Sequence, residues 1–299
     1  MSAVHLPTLR QLRYLVALAE HRHFGRAAEA CFATQSTLSA GLQELEALLG
    51  VTLVERTKRR VLMTPLGELV AERARGLLRG AEDIADLARA HQPPLTGLLR
   101  LGIIPTIAPF LLPRVLPQLH RTYPDLRLML REDLTARLLE RLGNGELDVA
   151  LLALPYEAPE MEMLSLATDS FVLACPPDHP LAAKAEVTGG DLAGAELLLL
   201  EEGHCLRDHA LAACSLPAPA RGEGMLGTSL GTLVQMVACG MGVTLLPQLA
   251  VSAGILAGTD LVTRPLAGGG AGRELGLAWR RSSARGPEFT LLGRTLFAS

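Results

Sequence analysis

The chain has 299 residues, 49% hydrophobic and 20% charged, which excludes a disordered segment and suits two or three domains. It lacks an apolar run of roughly 18–20 residues and the pattern of a cleaved leader, and its five cysteines are an odd, scattered set, so the sequence predicts a reducing cytoplasm, with no membrane span and no secreted disulfide framework. Residues 1–65 hold eight Lys/Arg against five Glu (+3) and the remainder 20 basic against 26 acidic residues (-6), a basic head for a polyanion on an acidic body.

The first predicted element is a helix over 8–20, where Leu9, Leu12, Leu15, Val16 and Leu18 recur on one face. Gly25 opens a second short helix, RAAEACFA. In TQSTLSAGLQELEALLG, Thr34 or Ser36 caps a third helix, Leu38, Leu42, Leu45 and Leu49 form its apolar stripe, and Gly50 ends it. Two short helices around a tight turn, the second leading by its N-terminus, fit a helix-turn-helix. The other face of the third helix carries Gln35, Ser36, Thr37, Ser39 and Gln43, short donors and acceptors suited to a major groove. Two β-like runs, Val51–Val54 and Val61–Met63, flank the basic tip RTKRR. They predict a wing whose Arg56, Lys58, Arg59 and Arg60 suit phosphates or a minor groove.

After Pro65 a long helix is expected to about His91. Val70, Ala74, Leu77, Ala81, Ile84 and Ala88 alternate by fours and threes, the spacing of a coiled-coil seam. Its alanines, with Gly76 and Gly80, predict a dimer that also relies on other contacts. QPP at 92–94 is a break. From Leu98 short apolar strands alternate with helices: LLRLGII, a helix over 109–121, LRLMLRE, a helix over 134–143, LDVALLAL, then FVLACPP and LLLLEE. A helix over 229–239, VTLLP, the strands LVTRPL and ELGLAWR and a C-terminal helix complete the pattern. This alternation predicts βαβ units in two similar lobes, joined by crossing strands around a cleft. GEGMLG at 222–227 follows a Pro-rich loop rather than a strand, so it is not a dinucleotide site, and AGGGAG at 267–272 is a flexible loop.

The segment GHCLRDHALAAC places Cys205 and Cys214 nine positions apart. They are either two small core residues or a redox pair. Cys205 follows LLLLEE and begins a predicted helix, whose first amides favour an anion, and His204 and Arg207 are close in sequence as cationic or hydrogen-bonding groups. Nine residues of continuous helix rise about 13 Å. A disulfide needs its Cα atoms within roughly 7 Å, so the two arrangements exclude each other. Cys31, Cys175 and Cys239 read as small buried hydrophobes. The His and Cys spacings suit no metal, and no cofactor is expected.

The stretch from LRYLVALAEHRHFGRAAEACF through VLMTPLG resembles the winged helix-turn-helix of LysR-type transcriptional regulators, and the body is similar to their two-lobed, periplasmic-binding-protein-like regulatory domain. The resemblance spans essentially the whole chain. It implies an all-α winged helix-turn-helix over 1–65, a linker and dimerisation helix over 66–93, and a two-lobed α/β domain over 94–299. Lobe I would take about 94–168 and 265–299, and lobe II about 169–264. It further implies double-stranded promoter DNA, RNA polymerase, and a homodimer through the linker helix that assembles into a homotetramer. A head over 1–91 has no role in turnover, so a regulator is expected rather than an enzyme. LEEGHCLRDHALAAC, IIPTIAP and ALAEHRHF resemble the peroxide-responsive members of the family. That closer likeness implies hydrogen peroxide as the signal, activation of antioxidant genes, Cys205 as the sensing thiol and Cys214 as its disulfide partner. It also implies that Thr106 and Thr135 hold peroxide, that Asp208 helps protonate the leaving hydroxide, and that Arg273 supports Cys205. The alternative is a regulator that takes a small organic effector in the cleft, with both cysteines structural.

Overall fold

The computed structural model describes residues 6–56, 61–89, 93–214, 226–268 and 272–297. It divides into two compact units, Met1–Arg89 and Ala90–Ser299.

The first unit opens with α1 (Leu9–His21). Thr8 caps it, accepting from the Gln11 amide, while the Gln11 side chain reaches back to the Thr8 amide. Helix α2 (Phe24–Ala30) begins one residue before the expected Gly25, because the Nδ1 of His23 accepts from the amides of Gly25 and Arg26. Thr34, not Ser36, caps α3 (Gln35–Leu49): its hydroxyl accepts from the Thr37 amide at 3.2 Å. Leu15, Leu18, Leu38, Leu42 and Leu45 meet in a fully buried core.

The wing is a two-stranded antiparallel ribbon of β1 (Val54–Arg56) and β2 (Val61–Met63). The expected first strand, Val51–Val54, is displaced to begin at its last residue. A Glu46 carboxylate oxygen accepts from the amides of Leu53 and Val54, at 2.8 and 3.0 Å, and so ties that stretch to α3. Lys58, Arg59 and Arg60 lie outside the described residues, as do 90–92 of the expected linker end.

Helix α4 (Pro65–Arg89) packs its first turns on α1. Ala71 and Ala74 are buried there and Val70 packs on the head core, so two of the six expected seam positions, Val70 and Ala74, face inward. Leu66, Leu69, Leu77, Ile84 and Leu87 stay exposed.

In the second unit, β3 (Gly97–Ile103), α5 (Ala108–Thr122), β4 (Leu126–Glu132), α6 (Thr135–Gly143) and β5 (Val149–Leu154) form the expected βαβ pattern, with β4 and β5 both parallel to β3. The long strand β6 (Met161–Cys175) then crosses into a second lobe. There α7 (Gly189–Leu192), β7 (Leu197–Leu200), α8 (Cys205–Ala213), β8 (Leu226–Gly227), α9 (Leu230–Ala238), β9 (Val243–Pro247), α10 (Gln248–Ser252) and β10 (Val262–Pro265) follow. The chain returns through β11 (Gly272–Arg280) and closes with α11 (Gly286–Leu296). The strand order is β4-β3-β5-β11-β6-β9-β7-β8, with β10 also on β6.

Strands β3, β4 and β5 are parallel in one lobe and β7, β8 and β9 in the other, but the returning strand β11 runs antiparallel to β5, and the crossing strand β6 runs antiparallel to β11, β9 and β10. Its residues 161–170 pair with β11 in one lobe, and 171–175 pair with β9 and β10 in the other. Each lobe has its own core, one around Leu101, Leu151, Leu277 and Phe289, the other around Phe171, Leu173, Leu198 and Val234. The crossing segment lies between these cores, where a polar side chain can be buried and still find partners from both lobes.

Candidate functional site

Strand β7 delivers the chain to a turn that needs Gly203: its φ is 97°, and a Cβ there would approach the Leu134 side chain to 3.2 Å. Cys205 then begins α8, half-buried and packed on the first-lobe core. His204 occupies the N-cap position and makes no side-chain capping bond. The first-turn amides of α8 therefore contribute their positive potential beside Cys205.

Thr135 is the first residue of α6, with Leu134 at its N-cap, so it is not a cap. Its buried hydroxyl donates to Cys205 Sγ at 3.5 Å. Thr106 is buried in the loop after β3. Its Oγ1 accepts from Arg273 Nη1 at 2.7 Å and its carbonyl from Nη2 at 2.9 Å. Arg273 in turn sits opposite Asp169 in the β11/β6 register, and Nε and Nη2 donate to Asp169 Oδ2 at 3.1 and 3.0 Å. The other oxygen of Asp169 accepts from the Leu249 amide of α10 at 2.9 Å. Burial works against the Arg273 charge, while Asp169 first and Cys205 second favour it; the guanidinium stays cationic.

Thr106, Thr135, Leu134, Pro105, His204 and Cys205 border a cavity of about 10 Å³, as swept by the centre of a water-sized sphere. That is about the space one water-sized molecule needs. Wider open grooves at Tyr156 and Arg281, and at His179 and Cys239, are not lined by Cys205.

Not every expected residue joins this cluster. Arg207 is buried two positions along α8, a spacing that turns it away from Cys205, and Asp208 is exposed. Burial pushes His204 below its usual range, against the opposing pull of Glu201, so it serves as a neutral imidazole and not as a cation. Cys214 is the C-cap of α8, at the far end of an unbroken helix, buried in the second-lobe core. Burial pushes its thiol up, which keeps it protonated. All five cysteines are free. Cys175 is buried as expected, but Cys31 is half-buried at the end of α2, and Cys239 is exposed at the C-cap of α9. The exposure of Cys239 overturns the expectation of a buried residue: it has left the apolar face of its helix.

On α3, Gln35, Ser36, Thr37 and Gln43 are exposed and Ser39 is half-buried. The Ser36 and Thr37 hydroxyls contact the Thr34 hydroxyl at 2.9 and 2.8 Å. Arg56 ends β1.

Residues 9–68 match the model for the bacterial regulatory helix-turn-helix protein, lysR family, and residues 92–297 match the LysR substrate binding domain. The chain belongs to the LysR family. This LysR-type protein is a DNA-binding regulator of transcription and not an enzyme. It is 44% identical over 288 residues to the HTH-type transcriptional regulator EstR of Acinetobacter baylyi, covering 96% of this chain and 95% of that one. It is 46% identical over 243 residues to the hydrogen peroxide-inducible genes activator of Pectobacterium carotovorum, covering 81% and 80%. A solved full-length OxyR variant from Pseudomonas aeruginosa superposes with a TM-score of 0.79 at 39% identity, over 98% of this chain and 95% of that one.

Two residues of this LysR-type site escape sequence reasoning. Asp169 is an acid inside an apolar strand, a visible anomaly, but its pairing with Arg273 depends on register. His209 lies four residues after Cys205, one helical turn on, so the motif itself carried that signal. Its buried Nδ1 has no hydrogen-bond partner among the described residues. Burial, and then the nearby Arg273 charge, push it below its usual range, against the pull of Asp208.

Proposed function

We propose that this regulator senses hydrogen peroxide through Cys205 and answers by forming a Cys205–Cys214 disulfide. The observation that carries the reading is the setting of Cys205. Its sulfur faces a water-sized cavity, takes a hydrogen bond from Thr135, and lies within the field of the buried Arg273. The thiolate is the nucleophile toward peroxide. Arg273 and the first-turn amides of α8 both direct positive potential toward that sulfur. Thr106 and Thr135 present hydroxyls to a peroxide in the cavity. The thiolate attacks one oxygen, the O–O bond breaks, and Cys205 becomes a sulfenic acid while hydroxide leaves and takes up a proton. Asp208 is exposed, so its part is to pass that proton from solvent. The protonated Cys214 thiol then displaces water from the sulfenic acid, and the disulfide forms.

This second step cannot occur on intact α8. The resulting refolding is the signal, which reorients DNA-binding heads on promoter DNA and engages RNA polymerase to activate antioxidant genes. The exposed apolar residues of α4, Leu66, Leu69, Leu77, Ile84 and Leu87, support pairing of two chains there, and two such dimers make the tetramer.

The test is titration with substoichiometric hydrogen peroxide, followed by disulfide mapping by mass spectrometry. A Cys205–Cys214 bridge within seconds is expected. Cys205→Ser should stay unmodified, and Cys214→Ser should stop at a sulfenic acid. If both thiols stay free while a small organic effector shifts the DNA footprint, the peroxide reading fails.

A further inference from the structure

Phe32 is an aromatic ring that the fold of the first unit does not use. Helix α2 ends at its C-cap Cys31, the Phe32 amide donates to the Glu29 carbonyl at 3.0 Å, and the Ala33 amide donates to the Ala28 carbonyl at 2.9 Å. This is the Schellman pattern, in which the residue after the cap turns left-handed and is ordinarily glycine. Here that residue is Phe32, with φ 52°. A side chain in this conformation carries a steric penalty that glycine does not. Ala33 and Ala28, the two positions the motif's apolar contact uses, both belong to the head core, Ala28 buried and Ala33 packed against it. The Phe32 ring is 100% exposed. A strained backbone and a ring held wholly in water both oppose stability, a combination that marks a functional position.

Its place identifies the ligand. Phe32 stands two residues before the Thr34 cap of α3, next to the exposed Gln35, Ser36 and Thr37. In a helix-turn-helix that end of the second helix enters the major groove. The other expected readers there are hydrogen-bonding groups. The apolar feature that a major groove offers is the C5-methyl of thymine. We propose that Phe32 packs against a thymine methyl at the edge of the site read by the N-terminus of α3, and so selects thymine over cytosine at that position. The proposal rests on the DNA-binding head alone and is independent of the peroxide reading.

The test uses the full-length chain and a duplex enriched by that chain from a random-sequence library. Each thymine is replaced singly by deoxyuridine, which removes only the methyl, and Kd is read by fluorescence anisotropy at fixed salt. One replacement should weaken the wild type about fourfold, as expected for losing one buried methyl-sized group. The same replacement should leave Phe32→Gly and Phe32→Asn unaffected. Phe32→Gly should bind the parent duplex at least fourfold more weakly yet melt no lower than the wild type, because glycine relieves the left-handed backbone. Equal binding of the parent duplex by Phe32→Gly, or equal deoxyuridine losses in all three proteins, overturns the proposal. So does a lower melting temperature, which would make the ring a support of the fold. Lost transcription at unchanged Kd also overturns it, pointing to polymerase instead.

Discussion

Replacing Ala212 by glycine should separate the two chemical steps at Cys205. Ala212 is exposed on α8, so the change removes no core contact. The helix is continuous from Cys205 to Ala213, and about 13 Å of rise separates the two cysteines. A disulfide tolerates roughly 7 Å, so close to half the helix must unwind before the sulfurs meet. In the middle of a helix glycine costs about 0.5–1 kcal/mol relative to alanine, and less at Ala212, one residue from the end of α8. If unwinding is a pre-equilibrium, disulfide formation then accelerates by up to about twofold. Sulfenic acid formation should keep its wild-type rate, because Thr135, Arg273 and the first turn of α8 are untouched. Stopped-flow mixing with peroxide, quenched at intervals with a sulfenic-acid trap or a thiol alkylating agent, resolves both rates. An unchanged second step would show that α8 need not open, and the proposed switch would fail. A changed first step would show that the substitution disturbs the cavity.

Arg273→Leu leaves the buried Asp169 carboxylate without its guanidinium, a loss of about 3–5 kcal/mol. For a unit of about 200 residues, that lowers the melting temperature by roughly 6–20 °C; a shift under about 3 °C in a thermal melt would refute the pair as a clamp between the lobes. His209 and His204 are both held below the usual 6.5 in the folded unit. Stability tied to these neutral imidazoles is complete above pH 6.5 and is lost as pH falls from 6.5 toward the lower folded values. Melting temperatures between pH 5 and 8 should therefore fall less steeply on the acid side for His209→Gln than for the wild type, and identical slopes would exclude His209.

Helices, caps and the thiol motif were legible in the amino-acid sequence because their signals are local. Thr34 and Gly50 act within one helical turn, and the apolar repeat of Leu38, Leu42 and Leu45 is the buried face itself. The distance conflict within GHCLRDHALAAC also follows from chain geometry alone. Tertiary structure decided what lies across the chain. Thr135 meets Cys205 from 70 positions away, and Arg273 meets Asp169 from 104. The strand register sets the second of these, and a one-residue slip would send every side chain to the opposite face. The same cause explains the shifted wing strand, where Glu46 claims the amides of Leu53 and Val54, and the inward turn of Val70 and Ala74 against α1. An exposed Cys239 and a buried Arg273 invert what their residue types predict, because burial is a property of the packed lobe and not of the residue.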